Sequence, residues 1–247
     1  MPSTKPIYKK PHEHKKRMSD TNIINFLGKK IILEKFTDDD NFLSSLISKL
    51  PIETKALEVG AHHGKFSKLI LEKFHDALII EGEETNYYNL LLKFPEYKDK
   101  IKKHVVYNDD KEHNWYFVPG SGLNALKMPV KYSKTSRFTK SKVKTVSLDS
   151  IGFNFDFIKI DCEGADFNIM LGATRLISKN QPLIYFEHTG EIGARNHNYT
   201  KDVFFHFFKK QNYSLFLPNG DEFLTSMWYS NTLESTNSYN LLAVPQR

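Results

Sequence analysis

One cysteine, Cys162, stands in 247 residues, which leaves the chain no partner for an internal disulfide and no thiolate set for a metal cluster. A reducing, cytoplasmic setting is therefore expected. Long apolar runs are missing too: nothing approaches the ~20 residues that a bilayer crossing requires. The first residues, MPSTKPIYKKPHEHKKRMSD, carry proline and charge where an export signal would need an apolar segment. The expectation is a soluble protein that is not exported. Acid is not in excess either, since 35 Lys and Arg face 29 Asp and Glu for a formal charge of +6. Lysines occur along nearly the whole chain, so this excess reads first as a solvated surface and second as a footprint for an anionic partner.

What is present is ordinary globular material, 40% hydrophobic and 26% charged, in a length that supports one sizeable core. Residues 1–20, with Pro2, Pro6 and Pro11 among six basic residues between Lys5 and Arg17, are expected to form a mobile basic arm. Residues 21–247 are expected to form a single domain. Phe42, Leu43, Leu46, Ile47 and Leu50 share one helical face behind a run of aspartates, and Pro51 stops that helix. Strand and helix then alternate: strands over 55–61 and 76–82, helices over 65–74 and 85–94, and a third strand at 104–108. An antiparallel excursion and loop are expected at about 113–142. Then come a strand in FDFIKID, a helix in ADFNIMLGATRLI, a strand over 181–188, a helix over 202–211, and late strands at 213–218 and 240–245. The alternation predicts an open, mainly parallel sheet with helices on both faces and ligands at the carboxyl ends of its strands. Asp161 and Glu163 would face that edge.

Two loops carry recognisable chemistry. In LEVGAHHGKFS, Glu58 ends a strand while Gly60 and Gly64 let the backbone turn sharply beside a ligand. A dinucleotide loop would have glycine where this chain has His62, which disfavours a diphosphate nucleotide, and with it a nicotinamide oxidoreductase, and leaves room for a nucleoside with a smaller tail. Glu81 ends the second strand, 23 residues beyond Glu58, where a carboxylate can accept from two vicinal ribose hydroxyls. Asn108 and Asp109 end the third strand. They fit either the amine of adenine or a turn.

LEVGAHHGKFS, IIEGEETNYYNLL, TVSLDSIGFNFDFIKIDCEGADFNIMLGA and PLIYFEH together resemble the FkbM-type family of S-adenosylmethionine-dependent methyltransferases. The resemblance spans roughly residues 55–190 and is carried mainly by the Leu-Asp, Lys-Ile-Asp-x-Glu-Gly and Leu-x-Gly-Ala series. It implies a Rossmann-like methyltransferase fold of seven strands, the last antiparallel, and O-methylation of a hydroxyl on a saccharide, a lipid-linked metabolite or another small molecule. It further implies that Glu58, Gly60, Ala61 and Gly64 hold the methionine portion of S-adenosylmethionine, Glu81 the ribose, and Asn108 or Asp109 the adenine. Asp161 and Glu163 fall on the acceptor side. The chain departs from the family in having Glu81-Gly82 for Glu-Pro, Glu58 for Asp, and Cys162 where an aliphatic is usual; the thiol reads as a small buried hydrophobe.

Methyl transfer to oxygen needs in-line placement and a base for the acceptor proton. Asp161, Glu163 and His188 are the candidates: Asp161 or His188 as base, Glu163 as a positioning group, and Lys159 as a mostly structural strand residue. No metal site is expected. An RNA methyltransferase, with the Lys-rich segment 131–144 as contact surface, and a non-catalytic nucleoside-binding module are the rival readings. Acceptor contacts are expected from residues 119–142, from 189–200 with Arg195, His197 and Tyr199, and from 218–239 with Trp228.

Overall fold

Continuous apolar runs of four or five residues separated by helical spacing set the architecture, because a parallel strand covered on both faces has no side to leave polar. The structure, a computed structural model, describes residues 22–121, 124–126, 138–152, 154–228 and 240–246. The expected basic arm, half of the Lys-rich segment (131–137) and the stretch 229–239 lie outside these residues.

The described chain starts with a hairpin of β1 (Asn22–Phe26) and β2 (Lys29–Leu33), whose inward side chains Ile24, Phe26, Ile31 and Leu33 are buried. Helix α1 (Asp39–Lys49) is capped by Asp38, which accepts from the Asn41 N–H at 2.8 Å, and it buries the apolar face expected of it. β3 (Ala56–Val59), α2 (Ser67–Lys73), β4 (Ala77–Glu81), α3 (Glu84–Lys93) and β5 (Ile101–Lys103) follow. The excursion comprises β6 (Val105–Val106), β7 (Glu112–Phe117), β8 (Asn124–Ala125) and β9 (Thr139–Val146). After α4 (Leu148–Ile151) come β10 (Phe157–Ile160), α5 (Asp166–Leu171), α6 (Thr174–Asn180) and β11 (Leu183–Glu187). α7 (Gly190–His197), α8 (Lys201–Lys210), β12 (Tyr213–Phe216) and β13 (Asn240–Pro245) complete it.

The main sheet has seven strands in the order β12-β13-β11-β10-β3-β4-β5. Neighbours from β11 to β5 run parallel, and β13 is antiparallel to both β11 and β12. This is the expected mainly parallel sheet with its last strand antiparallel. Side chains alternate between two apolar layers: Leu57, Val59, Ile158 and Ile160 enter one with α5, α6 and α8, and Ala56 and Phe157 enter the other with α1, α2 and α3. No helix among the described residues is long and apolar enough to cross a membrane.

Three expectations need correction. The third strand of the main sheet is Ile101–Lys103, not 104–108: at an edge only Ile101 need be buried, so Lys102 and Lys103 escape an apolar-run criterion. Val105 and Val106 leave the main sheet and pair in parallel with β9, in a second sheet ordered β6-β9-β7-β8. The helix expected over 165–177 is broken at Gly172, where an added Cβ would come within 2.4 Å of the Tyr107 carbonyl oxygen. Finally, 190–197, to which the sequence pattern assigned neither helix nor strand, is helical.

Candidate active site

The pairing of β3 with β10 aligns Glu58 with Lys159 on one face, so an acid and a base are forced together inside the sheet. Lys159 Nζ lies 3.2 Å from Glu58 Oε1 and 3.4 Å from Asp161 Oδ2. It also stands 5.5 Å from the centre of the Phe66 ring, a cation–π distance. Glu58 is fully buried, and its other oxygen accepts from Ser67 Oγ at 2.5 Å. Burial raises the Glu58 carboxyl above its ordinary range, with Lys159 pulling against it. Burial also opposes the charge on Lys159, but Asp161 and then Glu58 outweigh it and hold the ammonium above its usual value. Only Asp161 of the three reaches water, its side chain 50% exposed. The sheet thus delivers one carboxylate to its carboxyl edge with a buried cation behind it.

The neighbouring strand tip explains Gly60. Its φ is +82°, and an added Cβ would lie 1.9 Å from the Asp161 carbonyl oxygen, so glycine is demanded by the backbone of β10's tip. Gly64, expected beside the ligand, instead packs against Leu90 and Phe94 of α3's end. Ala61 is buried in the core, its carbonyl accepting from the Gly64 N–H at 2.8 Å. Glu81 ties the loop down: its carboxylate accepts from the His62 N–H at 2.7 Å and the Glu83 N–H at 2.8 Å. Burial raises Glu81, against the pull of those bonds. His62, with φ +50°, has a buried Nε2 with no partner among the described residues. Burial, then the adjacent His63, lowers its imidazole.

Of these groups Gly60, His62, Glu81 and Asp161 line a cavity of ≈ 160 Å³, whereas Glu58, Ala61, Gly64 and Lys159 do not. Gly60, His62 and Glu81 form one wall, Asp161, Cys162 and Glu163 another, and His104, Val105, Val106 and Trp115 a largely apolar flank. Sequence reasoning missed that flank, and the signal for it was the end of the third strand, which falls at Lys103 and so brings residues 104–106 to the cavity. Asn108 lies instead on a second groove. Asp109 accepts from Thr145 Oγ1 at 3.1 Å and pairs with His113 Nε2 at 2.7 Å. Burial works against its charge, but His113 and Thr145 outweigh it and lower the carboxyl. Asp110 accepts from the Ser147 N–H and from Ser150 Oγ. Both aspartates brace turns.

Of the three catalytic candidates, Asp161 and Glu163 meet at the cavity and His188 does not line it. His188 is buried, its ring centre 4.9 Å from Phe204, 5.1 Å from Phe223 and 4.9 Å from Trp228, and burial takes its imidazole down to about 3. Glu163 has φ +52°; desolvation of its carboxyl, then the Asp161 charge, pushes it up to about 7. Behind it, buried Asp166 accepts from the Cys162 N–H at 3.4 Å and is raised to about 7, by burial first and Asp161 next. Glu187 is raised by burial, then by Asp166. Among the described residues no group of three or more His, Cys, Asp or Glu side chains is arranged to hold a metal ion.

Raised carboxyls have a consequence for stability. Asp166 and Glu163 bind protons in the folded state at pH values where the unfolded chain, with ordinary carboxyls near ~4, has released them. Their contribution is fully present below about pH 4 and is lost as pH rises through about 7. Asp166→Asn keeps an acceptor for the Cys162 N–H and removes one such proton. The variant is expected to show a smaller fall in Tm than the parent between roughly pH 4 and pH 7; an equal fall in thermal melts would place the titration elsewhere.

A domain model described as the methyltransferase FkbM domain matches residues 49–215. Solved structures similar to this chain include methyltransferase FkbM from Methylobacillus flagellatus KT, 16% identical over 78% of this chain and 44% of that one, with a TM-score of 0.46. This chain therefore spans less than half the length of that protein. A precorrin-6y C5,15-methyltransferase from Geobacter metallireducens GS-15 is 9% identical over 83% and 85% of the two chains, TM-score 0.44. The fibrillarin pre-rRNA processing protein of Methanococcus jannaschii is 12% identical over 91% and 82%, TM-score 0.42. No match was found among curated proteins.

Proposed function

Since its domain model covers residues 49–215, the chain belongs to the FkbM methyltransferase domain family, and we propose that it transfers the methyl group of S-adenosylmethionine to a hydroxyl oxygen. The chemistry of the residues lining the cavity suits such a cofactor. Each Glu81 oxygen accepts one backbone N–H and keeps a second lone pair for a ribose hydroxyl. His62 Nε2 supplies a buried polar atom that wants a partner, and Val105, Val106 and Trp115 offer the apolar surface a flat heterocycle needs. Bound there, the cofactor would supply an electrophilic methyl carbon on a positively charged sulfur.

The observation that carries the reading is the Glu58–Lys159–Asp161 chain, which ends in a water-accessible carboxylate lining the same cavity as Glu81. An alcohol is a weak nucleophile until a base takes its proton. We assign that task to Asp161 Oδ1 or Oδ2, with Lys159 Nζ positioning the carboxylate from behind at 3.4 Å and Glu163 flanking the acceptor. His188, enclosed by aromatic rings, is assigned to scaffolding. An RNA acceptor would bring phosphates against Asp161 and Glu163, so it is the less favoured substrate. The lone free cysteine goes with a reducing, cytoplasmic location.

Calorimetry with S-adenosylmethionine tests the cofactor first, and labelled-methyl transfer to extract fractions tests the reaction. Glu81→Gln removes the charge from a buried double acceptor, a loss of roughly 1.5–3 kcal/mol. Binding should weaken by about 10- to 100-fold. Absence of binding heat in the parent protein would end the proposal.

A further inference from the structure

Of the four residues expected at the methionine end of the cofactor, Glu58, Gly60, Ala61 and Gly64, only Gly60 lines the cavity. Glu58 is occupied by Lys159 and Ser67, Ala61 is buried, and Gly64 packs on Leu90 and Phe94. The loop's backbone offers little in their place. Gly60 N–H donates to the Ile80 carbonyl at 3.0 Å, His62 N–H to Glu81 at 2.7 Å, and Gly64 N–H to the Ala61 carbonyl at 2.8 Å. A carboxylate needs donors, and these three N–H groups are already engaged.

The side chains that line the cavity sharpen the shortage. Among the described residues they include the acids Glu81, Asp161 and Glu163 but no Lys or Arg. Such acids suit a sulfonium and an ammonium and repel a carboxylate. Lys159 does not serve, because it is off the cavity lining and paired with Glu58 and Asp161. Of the nitrogen-bearing side chains on the lining, Asn124 Nδ2 already donates to the Ser121 carbonyl at 2.9 Å, and His104 and Trp115 belong to the flank with Val105 and Val106. His62 is left.

The local structure of His62 fits a ligand-binding role. Its Nε2 is buried and has no partner among the described residues. Its φ of +50° lies in the left-handed region, which glycine adopts without strain and which a residue with a side chain adopts against its preference. Strain kept at a cavity points to a use for the imidazole. The His63 ring lies against it, centres 3.7 Å apart, and restricts its rotation. Burial and then His63 lower the imidazole, Asp161 raises it and Lys159 lowers it, so the ring and the assigned base share one neighbourhood.

We propose that His62, with its proton on Nε2, donates to the carboxylate of S-adenosylmethionine and makes the site selective for a methyl donor that carries one. The inference rests on the methyl-transfer reading above and adds to it a residue and a selectivity. The acids on the lining then face the donor's sulfonium and ammonium, and its one anion, a short aliphatic chain from the sulfur, meets the ring nitrogen.

Calorimetry on the full chain with S-adenosylmethionine and decarboxylated S-adenosylmethionine provides the test. The two ligands share adenosine, sulfonium and amine, so their difference isolates the carboxylate. Acids acting alone would favour the decarboxylated ligand, which carries the greater positive charge. With His62 as donor the order reverses: the parent should bind S-adenosylmethionine about tenfold or more tightly, the usual worth of a charge-assisted hydrogen bond. His62→Gly keeps the N–H that Glu81 holds and suits the positive φ, so the loop survives. In that variant the preference should fall to parity or invert, with the decarboxylated ligand bound within about threefold of its affinity for the parent. His62→Gln returns an N–H donor near the Nε2 position and should restore part of the preference, a rescue that general loosening of the loop would not give. Equal affinity for the two ligands in the parent, a preference undiminished in His62→Gly, or one lost instead in His104→Leu would overturn the proposal and leave the cofactor reading standing. Absence of heat from both ligands in the parent would end the two together.

Discussion

Asp161→Asn is expected to lower kcat by roughly 10²- to 10⁴-fold, the usual worth of a positioned general base, while the heat of S-adenosylmethionine binding stays within a few tenths of its original value. The asymmetry follows from position. Asp161 shares the cavity with Glu81 but contributes nothing to the bonds that fix the glycine loop, which run from His62 and Glu83 to Glu81 and from Gly60 N–H to the Ile80 carbonyl. Asparagine keeps the volume and can still accept from Lys159, and Lys159 keeps Glu58 at 3.2 Å as its counter-ion, so the buried charge stays paired and the fold survives. What asparagine cannot do is take a proton. Glu163→Gln should be milder, because Glu163 is assigned to flanking the acceptor and not to taking its proton, and glutamine keeps its volume and an acceptor oxygen at the cavity. Steady-state rates with labelled methyl donor, read beside calorimetry, decide it; turnover retained in Asp161→Asn would remove that residue from the reaction.

Why these residues could be found in the sequence, and others not, is a matter of range. Ala56–Val59 and Phe157–Ile160 are buried on both sides of a parallel sheet, so their apolar runs show locally where the strands are and which residues sit at their tips. Glu81 and Asp161 follow from that alone, whereas Glu58, expected to end its strand, lies inside β3, buried and off the cavity lining. Lys159 did not follow, because its role depends on which strand lies beside β10 and in what register, and pairing with β3 is a contact across about a hundred residues. His188 illustrates the converse: a polar residue at a strand tip looks like a site residue until Phe204, Phe223 and Trp228, supplied from further along the chain, close around it. The β5 edge and the turn-bracing Asp109 were hidden for a related reason, since a half-solvated strand and an acid paired to a histidine four residues away carry no apolar signature.

The largest stability change should come from Lys159→Met. Removing the cation leaves Glu58 without a charge partner at a position with no solvent exposure, its remaining support being the Ser67 hydroxyl. Breaking one side of such a buried pair costs about 3–5 kcal/mol, enough to consume much of the ~5–15 kcal/mol that keeps a domain folded. Glu58 can avoid part of this by taking a proton, and burial already raises its carboxyl. The variant's deficit should therefore be smallest in acid and grow as pH rises above the ordinary carboxyl range, because the unfolded chain releases a proton that the folded one must retain. Glu58→Gln added to Lys159→Met removes the stranded charge and should recover most of the loss, since an uncharged pair of similar volume has no ion to desolvate. Urea unfolding of the two single variants and the double variant at an acidic and a neutral pH measures the coupling directly. A Lys159→Met variant that loses less than about 1 kcal/mol, with no pH dependence, would mean that water or a local rearrangement neutralises Glu58.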